Sequence, residues 1–213
     1  MADLTTIHPA TGWDDRLYVS IRRGRDVLLA PLVAPLAWLG VPPLALSVCG
    51  VLLAASLIWT LVDYPRWANF GFFGALLCDG LDGALARRRG CDSRRGKLWD
   101  QLCDSATWAA VLLAILAAGL APVLPTALAV YLVPTLLFLG VSVSSLRGPM
   151  GFNPRAGFYA HAPKIFVYGA LAAYLLAGRH WIAPAVLCTD IVGAASCLTL
   201  LWLLRRRDAL PFD

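Results

Sequence analysis

Apolar residues in this chain fall in long blocks, with most of the charge confined to the gaps between them. Six blocks can be drawn, over 43–62, 66–88, 95–119, 122–146, 157–177 and 180–204. Each is close to the roughly 20 residues that one membrane-crossing helix needs. The run from Ser105 to Leu146 carries no charge and is about twice that length, so the Gly119-Leu120-Ala121-Pro122 break reads as a tight turn between two spans. Ahead of these blocks, residues 14–39 mix basic and apolar positions and hold Pro31 and Pro35. That mixture suits an amphipathic helix lying in the membrane interface better than a span. The expected fold is therefore an all-α membrane protein: an N-terminal interfacial helix over 14–39 and a six-helix core over 43–204, forming one domain over residues 1–213.

Composition agrees with this picture, with 59% hydrophobic residues and a mean hydropathy of +0.69, well outside the range of soluble domains. The N-terminal "MADLTTIHPATGWDD" lacks the basic and apolar regions of a signal peptide, so the chain is expected to insert directly and keep its N-terminus. Of the 18 Lys and Arg, 16 fall in the N-terminal segment, the second-to-third connection, the fourth-to-fifth region and the tail. By the positive-inside rule those segments and both termini face the cytoplasm. Only Arg66 and Arg179 fall on the other side, where Trp59, Trp67 and Trp181 supply an aromatic belt. The net charge of +5 fits a basic face against anionic lipid and needs no nucleic-acid partner. Six cysteines, none in a CxxC pair, read as small buried hydrophobes rather than a disulfide or zinc framework.

One stretch breaks the apolar pattern. "CDGLDGALARRRGCDSRRGKLWDQLCDS", Cys78 to Ser105, holds five aspartates and six Lys or Arg, and apolar segments enter and leave it directly. All 13 acidic residues of the chain are Asp, so any carboxylate chemistry belongs to aspartate. At about 100° per residue, Asp79, Asp82, Gly83 and Ala86 share one face of the second span, with Arg87 at its edge. Gly96, Asp100 and Asp104 form a second stripe on the third span. Two antiparallel neighbouring helices would set four carboxylates between them, and such a cluster repels itself strongly. Two Mg²⁺ or Mn²⁺ ions would balance the charge with hard oxygen ligands, the usual clamp for displacement at phosphorus. Gly83, Ala86 and Gly96 keep the facing surfaces small enough for a phosphate, and Arg87 offers it a bidentate fork. The plainer alternative is a solvated juxtamembrane cluster of Asp–Arg pairs; the shared register and the small residues between the carboxyls favour the inward-facing arrangement. Asp92 lies outside the pattern, as a solvated turn residue.

The run Asp79-x2-Asp82-Gly83-x2-Ala86-Arg87-x8-Gly96-x3-Asp100-x3-Asp104 resembles the full signature of the CDP-alcohol phosphotransferases, eight fixed residues over 26 positions. Upstream, "GVPPLALSVCG" resembles the family's entry to its first span: Gly40 and Pro43 are kept, Ser47 stands where Thr is usual, and Leu44 replaces Asn. The resemblance implies an integral membrane enzyme, commonly a homodimer, that moves a substituted phosphate from a CDP-linked donor to an alcohol and releases CMP. Carried over by position, Asp79, Asp82 and Asp100 would be metal ligands, and Asp104 a ligand and the base for the acceptor hydroxyl. Gly83, Arg87, Ser93 and Pro43 would contact the donor. A carboxylate at the mouth of the third span suits that proton transfer.

The acceptor is less legible. Arg147, Arg155, His161 and Lys164 surround the start of the fifth span. They read either as a site for a phosphate on the acceptor or as topological anchors. Lys164 would enter the apolar span, where a charge is costly without a partner. Asp190, in the sixth span, would pair with a polar neighbour or face a cavity. The wording Asp100-Gln-Leu-Cys-Asp104-Ser105 matches neither the glycerophosphate nor the serine subfamily and ends like the choline and ethanolamine enzymes. Three functions therefore stand: transfer of phosphatidyl from CDP-diacylglycerol to a small, phosphorylated polar alcohol; transfer from a soluble CDP-alcohol of the choline, ethanolamine or inositol type to a lipid or phosphoinositol acceptor; and a non-catalytic ion-binding scaffold.

Overall fold

The structure, a computed structural model, describes residues 13–90, 94–145 and 161–208. Among these residues every regular element is a helix: α1 (Trp13–Trp38), α2 (Pro43–Asp63), α3 (Pro65–Arg89), α4 (Arg94–Ala117), α5 (Val123–Ser145), α6 (Lys164–Ala177) and α7 (Ile182–Asp208). The boundaries follow from local chemistry. Pro43 and Pro65 sit at first-turn positions of α2 and α3, where a missing N–H and a fixed φ do no harm. Helix α3 stops at Gly90, in the left-handed region at φ 63°, which a residue with a Cβ enters only with strain. The break expected at 119–122 is the α4–α5 turn: Gly119 has φ 66°, and Leu120 N–H bonds back to the Ile115 carbonyl at 3.0 Å.

Among the described residues, four segments are long and apolar enough to cross a bilayer: Pro43–Asp63, Leu98–Ala117, Val123–Gly140 and Ile182–Trp202. Large apolar side chains such as Leu52, Leu124 and Leu198 stand exposed on them, a surface that suits lipid and not water. The chain is an integral membrane protein. Helix α6 begins at Lys164 and is 14 residues long, shorter than the span drawn from the sequence; residues 157–160 of that span lie outside the described residues.

Helix α2 packs closely against both α3 and α4, whereas α3 and α4 meet only briefly. The sequence suggested that α3 and α4 would be immediate neighbours; instead α2 is the partner they share. Small residues explain the α2–α3 contact. A Cβ on Gly71 would stand 3.0 Å from the Leu53 carbonyl, and one on Gly50 would stand 3.2 Å from the Cys78 Cβ. Such positions let two backbones approach in the absence of a hydrophobic drive between helices. Deeper in the bundle, Trp108 of α4 is fully buried and donates its indole N–H to the Ala129 carbonyl of α5 at 2.9 Å. Tyr168 of α6 lies 5.5 Å from its ring and 5.8 Å from that of Phe72 on α3. These aromatic contacts tie α3, α4, α5 and α6 together.

Helix α1 continues through Pro31 and Pro35. Its Leu29 and Val33 pack on Leu81, Ala84 and Leu85 of α3, while Val27, Leu28 and Trp38 stay exposed. The cysteines depart from expectation. Cys78 is buried, but Cys49 and Cys188 are exposed, because their positions fall on outward faces of α2 and α7. None of the five described cysteines is in a disulfide.

Candidate functional site

One small pocket gathers Asp79 and Asp82 from α3, Asp100, Cys103, Asp104 and Thr107 from α4, and Ser47, Gly50 and Ala75 at its α2–α3 wall. All four aspartates of the sequence pattern thus line a single recess, although their helices scarcely touch. The space arises because α2 holds α3 and α4 apart, and because Gly50 has no side chain and Ala75 only a methyl group to fill the gap.

Each carboxyl is held differently. Asp82 is buried and accepts the Ser47 hydroxyl at 2.5 Å, while its other oxygen accepts the Gly83 N–H at 2.5 Å. Ser47 sits one turn into α2, four residues after Pro43, whose carbonyl is 3.4 Å from the same hydroxyl. Pro43 thereby enters the site through α2's first turn. The Asp79 and Asp104 carboxyls lie within hydrogen-bonding distance of each other. Two carboxylates so close require a proton or a cation between them. Asp104 also accepts the Lys164 ammonium at 3.1 Å, and both side chains are largely buried, at 18% and 9% exposure. Among the described residues, no three His, Cys, Asp or Glu side chains are gathered tightly enough to hold a metal as they stand. Asp82 is turned to Ser47 and Asp104 to Lys164. The donor set itself, four carboxylates and a hydroxyl around one recess, is that of a hard divalent cation.

Beside the pocket, Arg87 forms a bidentate pair with Asp26 of α1, Nε to Oδ2 at 3.2 Å and Nη2 to Oδ1 at 2.5 Å. Its guanidinium lies over Gly83, where a Cβ would stand 3.2 Å from Nη1. The guanidinium fork thus stands next to Gly83 and is held by a carboxylate of α1. Sequence reasoning did not find Asp26. Its signal was the stripe Asp26, Leu29, Val33 at i, i+3, i+7, which shares the face that α1 turns to α3.

Lys164 lies where the sequence placed it, at the head of α6, and the partner that such a buried charge demands is Asp104. His161 precedes it within electrostatic reach of Asp104. Ser93, Arg147, Arg155 and Asp92 lie outside the described residues. Asp190 is apart from the pocket: it is buried on α7, and its Oδ1 has no hydrogen-bond partner among the described residues.

Comparison with known proteins gives three findings. Residues 41–202 match the sequence model of a family described as CDP-alcohol phosphatidyltransferase. The CDP-diacylglycerol–serine O-phosphatidyltransferase of Mycobacterium leprae is 29% identical over 161 residues, which are 72% of this chain and 53% of that protein. The chain thus spans about half the length of that relative. Two crystal structures of the Mycobacterium tuberculosis phosphatidylinositol phosphate synthase share the fold. The complex with manganese and citrate gives a TM-score of 0.54 at 21% identity, over 82% of this chain and 86% of that one. The complex with CDP-DAG gives 0.53 at 22% identity, over 82% and 90%.

Proposed function

Because the chain belongs to the CDP-alcohol phosphatidyltransferase family, we propose that it transfers the phosphatidyl group of CDP-diacylglycerol to the hydroxyl of a small, phosphorylated polar alcohol, releasing CMP. The observation that carries this reading is the single recess lined by Asp79, Asp82, Asp100 and Asp104. One similar protein is named for phosphatidyl transfer to serine, and another was crystallised with CDP-DAG.

The four aspartates would hold two divalent cations, Mg²⁺ or Mn²⁺. Cations bound there would supply positive charge for the donor's phosphates in a displacement at phosphorus. Asp104 takes the proton of the acceptor hydroxyl as that oxygen bonds to phosphorus and the bond to CMP breaks. Gly83 leaves space for the donor's diphosphate, and Arg87 turns its fork toward it, with Ser93 and the Pro43 turn completing the donor site. Lys164, with Arg147 and Arg155, meets the acceptor's phosphate.

The membrane arrangement follows the same reading. Six helices, α2 to α7, cross the bilayer in one domain, with α1 along the cytoplasmic interface and both termini in the cytoplasm. Exposed Trp59, Trp67 and Trp181 mark the opposite interface. The acidic recess opens to the cytoplasm, where the donor's head group reaches water while its tails stay in lipid. The enzyme works as a homodimer.

The test is CMP release by the purified chain in detergent. CDP-diacylglycerol is offered with serine, glycerol 3-phosphate, inositol or inositol phosphate, with Mn²⁺ or EDTA. Metal-dependent release with CDP-diacylglycerol and one phosphorylated alcohol is expected. Release from CDP-choline or another soluble donor, and not from CDP-diacylglycerol, would replace this reading with the soluble-donor one. No metal-dependent release from any donor would leave the ion-binding scaffold.

A further inference from the structure

We propose that Lys164 is a built-in cation that occupies the Asp104 side of the acidic recess when no metal is bound, and that a divalent ion must displace its ammonium in order to load. The inference rests on the reading of Asp104 as a metal ligand.

Three observations lead to it. First, Lys164 is the opening residue of α6. A helix N-terminus already carries partial positive charge, so a buried ammonium there is doubly unfavourable unless an anion faces it. The anion is Asp104, at 3.1 Å, sixty residues away in sequence and supplied by a different helix. Second, Asp104 is also the carboxyl that abuts Asp79. Asp104 therefore faces a second carboxylate as well as the ammonium, and one positive charge there offsets their repulsion. Third, Asp82 has found a neutral hydroxyl, Ser47, at the same pocket. A hydroxyl neutralises nothing and also leaves oxygen lone pairs available. The two arms of the recess thus differ: the Asp82 arm is pre-oriented by a hydroxyl, and the Asp104 arm is closed by a competing charge.

A lysine suits this role. Its ammonium is a point charge on a flexible four-carbon stem, so it can swing away without moving α6, where a planar guanidinium would lose two directed bonds. Because ammonium and metal compete for one carboxyl, removing the ammonium strengthens metal binding. If Lys164 were instead only a packing or folding element, its loss would weaken the protein with and without metal alike.

The experiment titrates the detergent-purified full chain with Mn²⁺, following free Mn²⁺ by its paramagnetic resonance, in the wild type, Lys164→Met, Lys164→Gln and Lys164→Arg. Lys164→Met and Lys164→Gln are expected to bind Mn²⁺ roughly tenfold tighter than the wild type, and Lys164→Arg to stay near the wild type. Thermal midpoints should cross: Lys164→Met lies below the wild type in EDTA and reaches or exceeds it in saturating Mn²⁺. Equal or weaker Mn²⁺ affinity in both neutral variants, or a midpoint deficit that persists in Mn²⁺, overturns the inference alone. Absence of Mn²⁺ binding in every form overturns the metal centre and the inference with it.

Discussion

Replacing Gly83 by alanine adds one methyl group to the face of α3 that carries Asp79 and Asp82. In a helix interior that change stabilises by about 0.5–1 kcal/mol, because glycine loses more backbone freedom on folding. The new Cβ would stand 3.2 Å from Nη1 of Arg87 and 4.0 Å from Nη2 of Arg25. These are tips of flexible side chains, so the contact is relieved by a shift of the guanidinium, not of the helix. That shift strains the Arg87–Asp26 pair, which at 28% and 36% exposure is worth no more than about 1 kcal/mol after solvent screening. The two terms nearly cancel, and the thermal midpoint of Gly83→Ala should stay near that of the wild type. Activity should not. The methyl group fills the space proposed for the donor's diphosphate and turns the Arg87 fork away, which removes the equivalent of one charged hydrogen bond, about 1.5–3 kcal/mol. The expected loss in kcat/KM for CDP-diacylglycerol is about ten- to a hundredfold. Parallel thermal melts and CMP-release assays measure both. An unchanged kcat/KM would refute the placement of the donor over Gly83, and a collapsed midpoint would show that Gly83 serves packing instead.

Two further substitutions probe the surroundings of the recess. Ser47→Ala deletes the hydroxyl that Asp82 accepts at 2.5 Å and should weaken Mn²⁺ binding by about ten- to a hundredfold, as loss of a supporting hydrogen bond to a metal ligand does. Ser47→Thr, which keeps the donor, should bind normally in the same titration. Trp108→Phe removes the indole N–H bonded to the Ala129 carbonyl and leaves a void among fully buried neighbours. It should cost about 2–3 kcal/mol of stability, read by thermal unfolding in detergent, with CMP release retained at low temperature.

The helices were legible because their ends are written in single residues. The blocks drawn over 43–62 and 66–88 became Pro43–Asp63 and Pro65–Arg89, fixed by prolines that start a helix readily and a glycine that ends one. The shared face of Asp79, Asp82 and Gly83 was legible for the same reason, since helical periodicity is a local property. What a face meets is not local. The sequence could not show that α2 would stand between α3 and α4, that Ser47 would reach Asp82 across 35 residues, or that Arg87 would be held by Asp26 across 61. Charge gave a partial guide: a lysine inside an apolar block needs an anion, and the only open question was which one. No comparable demand separates a buried cysteine from an exposed one, and that expectation failed at Cys49 and Cys188.

The recess lies well along the helices that build it. Asp79 lies ten residues before the end of α3 at Arg89, and Asp104 lies ten residues after the start of α4 at Arg94. Both carboxyls are therefore about 15 Å from the shared end of their helices. Helix α6 starts only at Lys164, and that first residue already touches Asp104. The acidic pocket itself is walled by α2, α3 and α4, and Lys164 reaches its Asp104 corner from the head of α6. This geometry explains how carboxylates persist so far along membrane helices. They line a recess between helices, where Lys164 answers one of them and a hydroxyl another. Displacing Lys164 by a turn would take away the ammonium that Asp104 accepts and leave that carboxyl beside Asp79 without it.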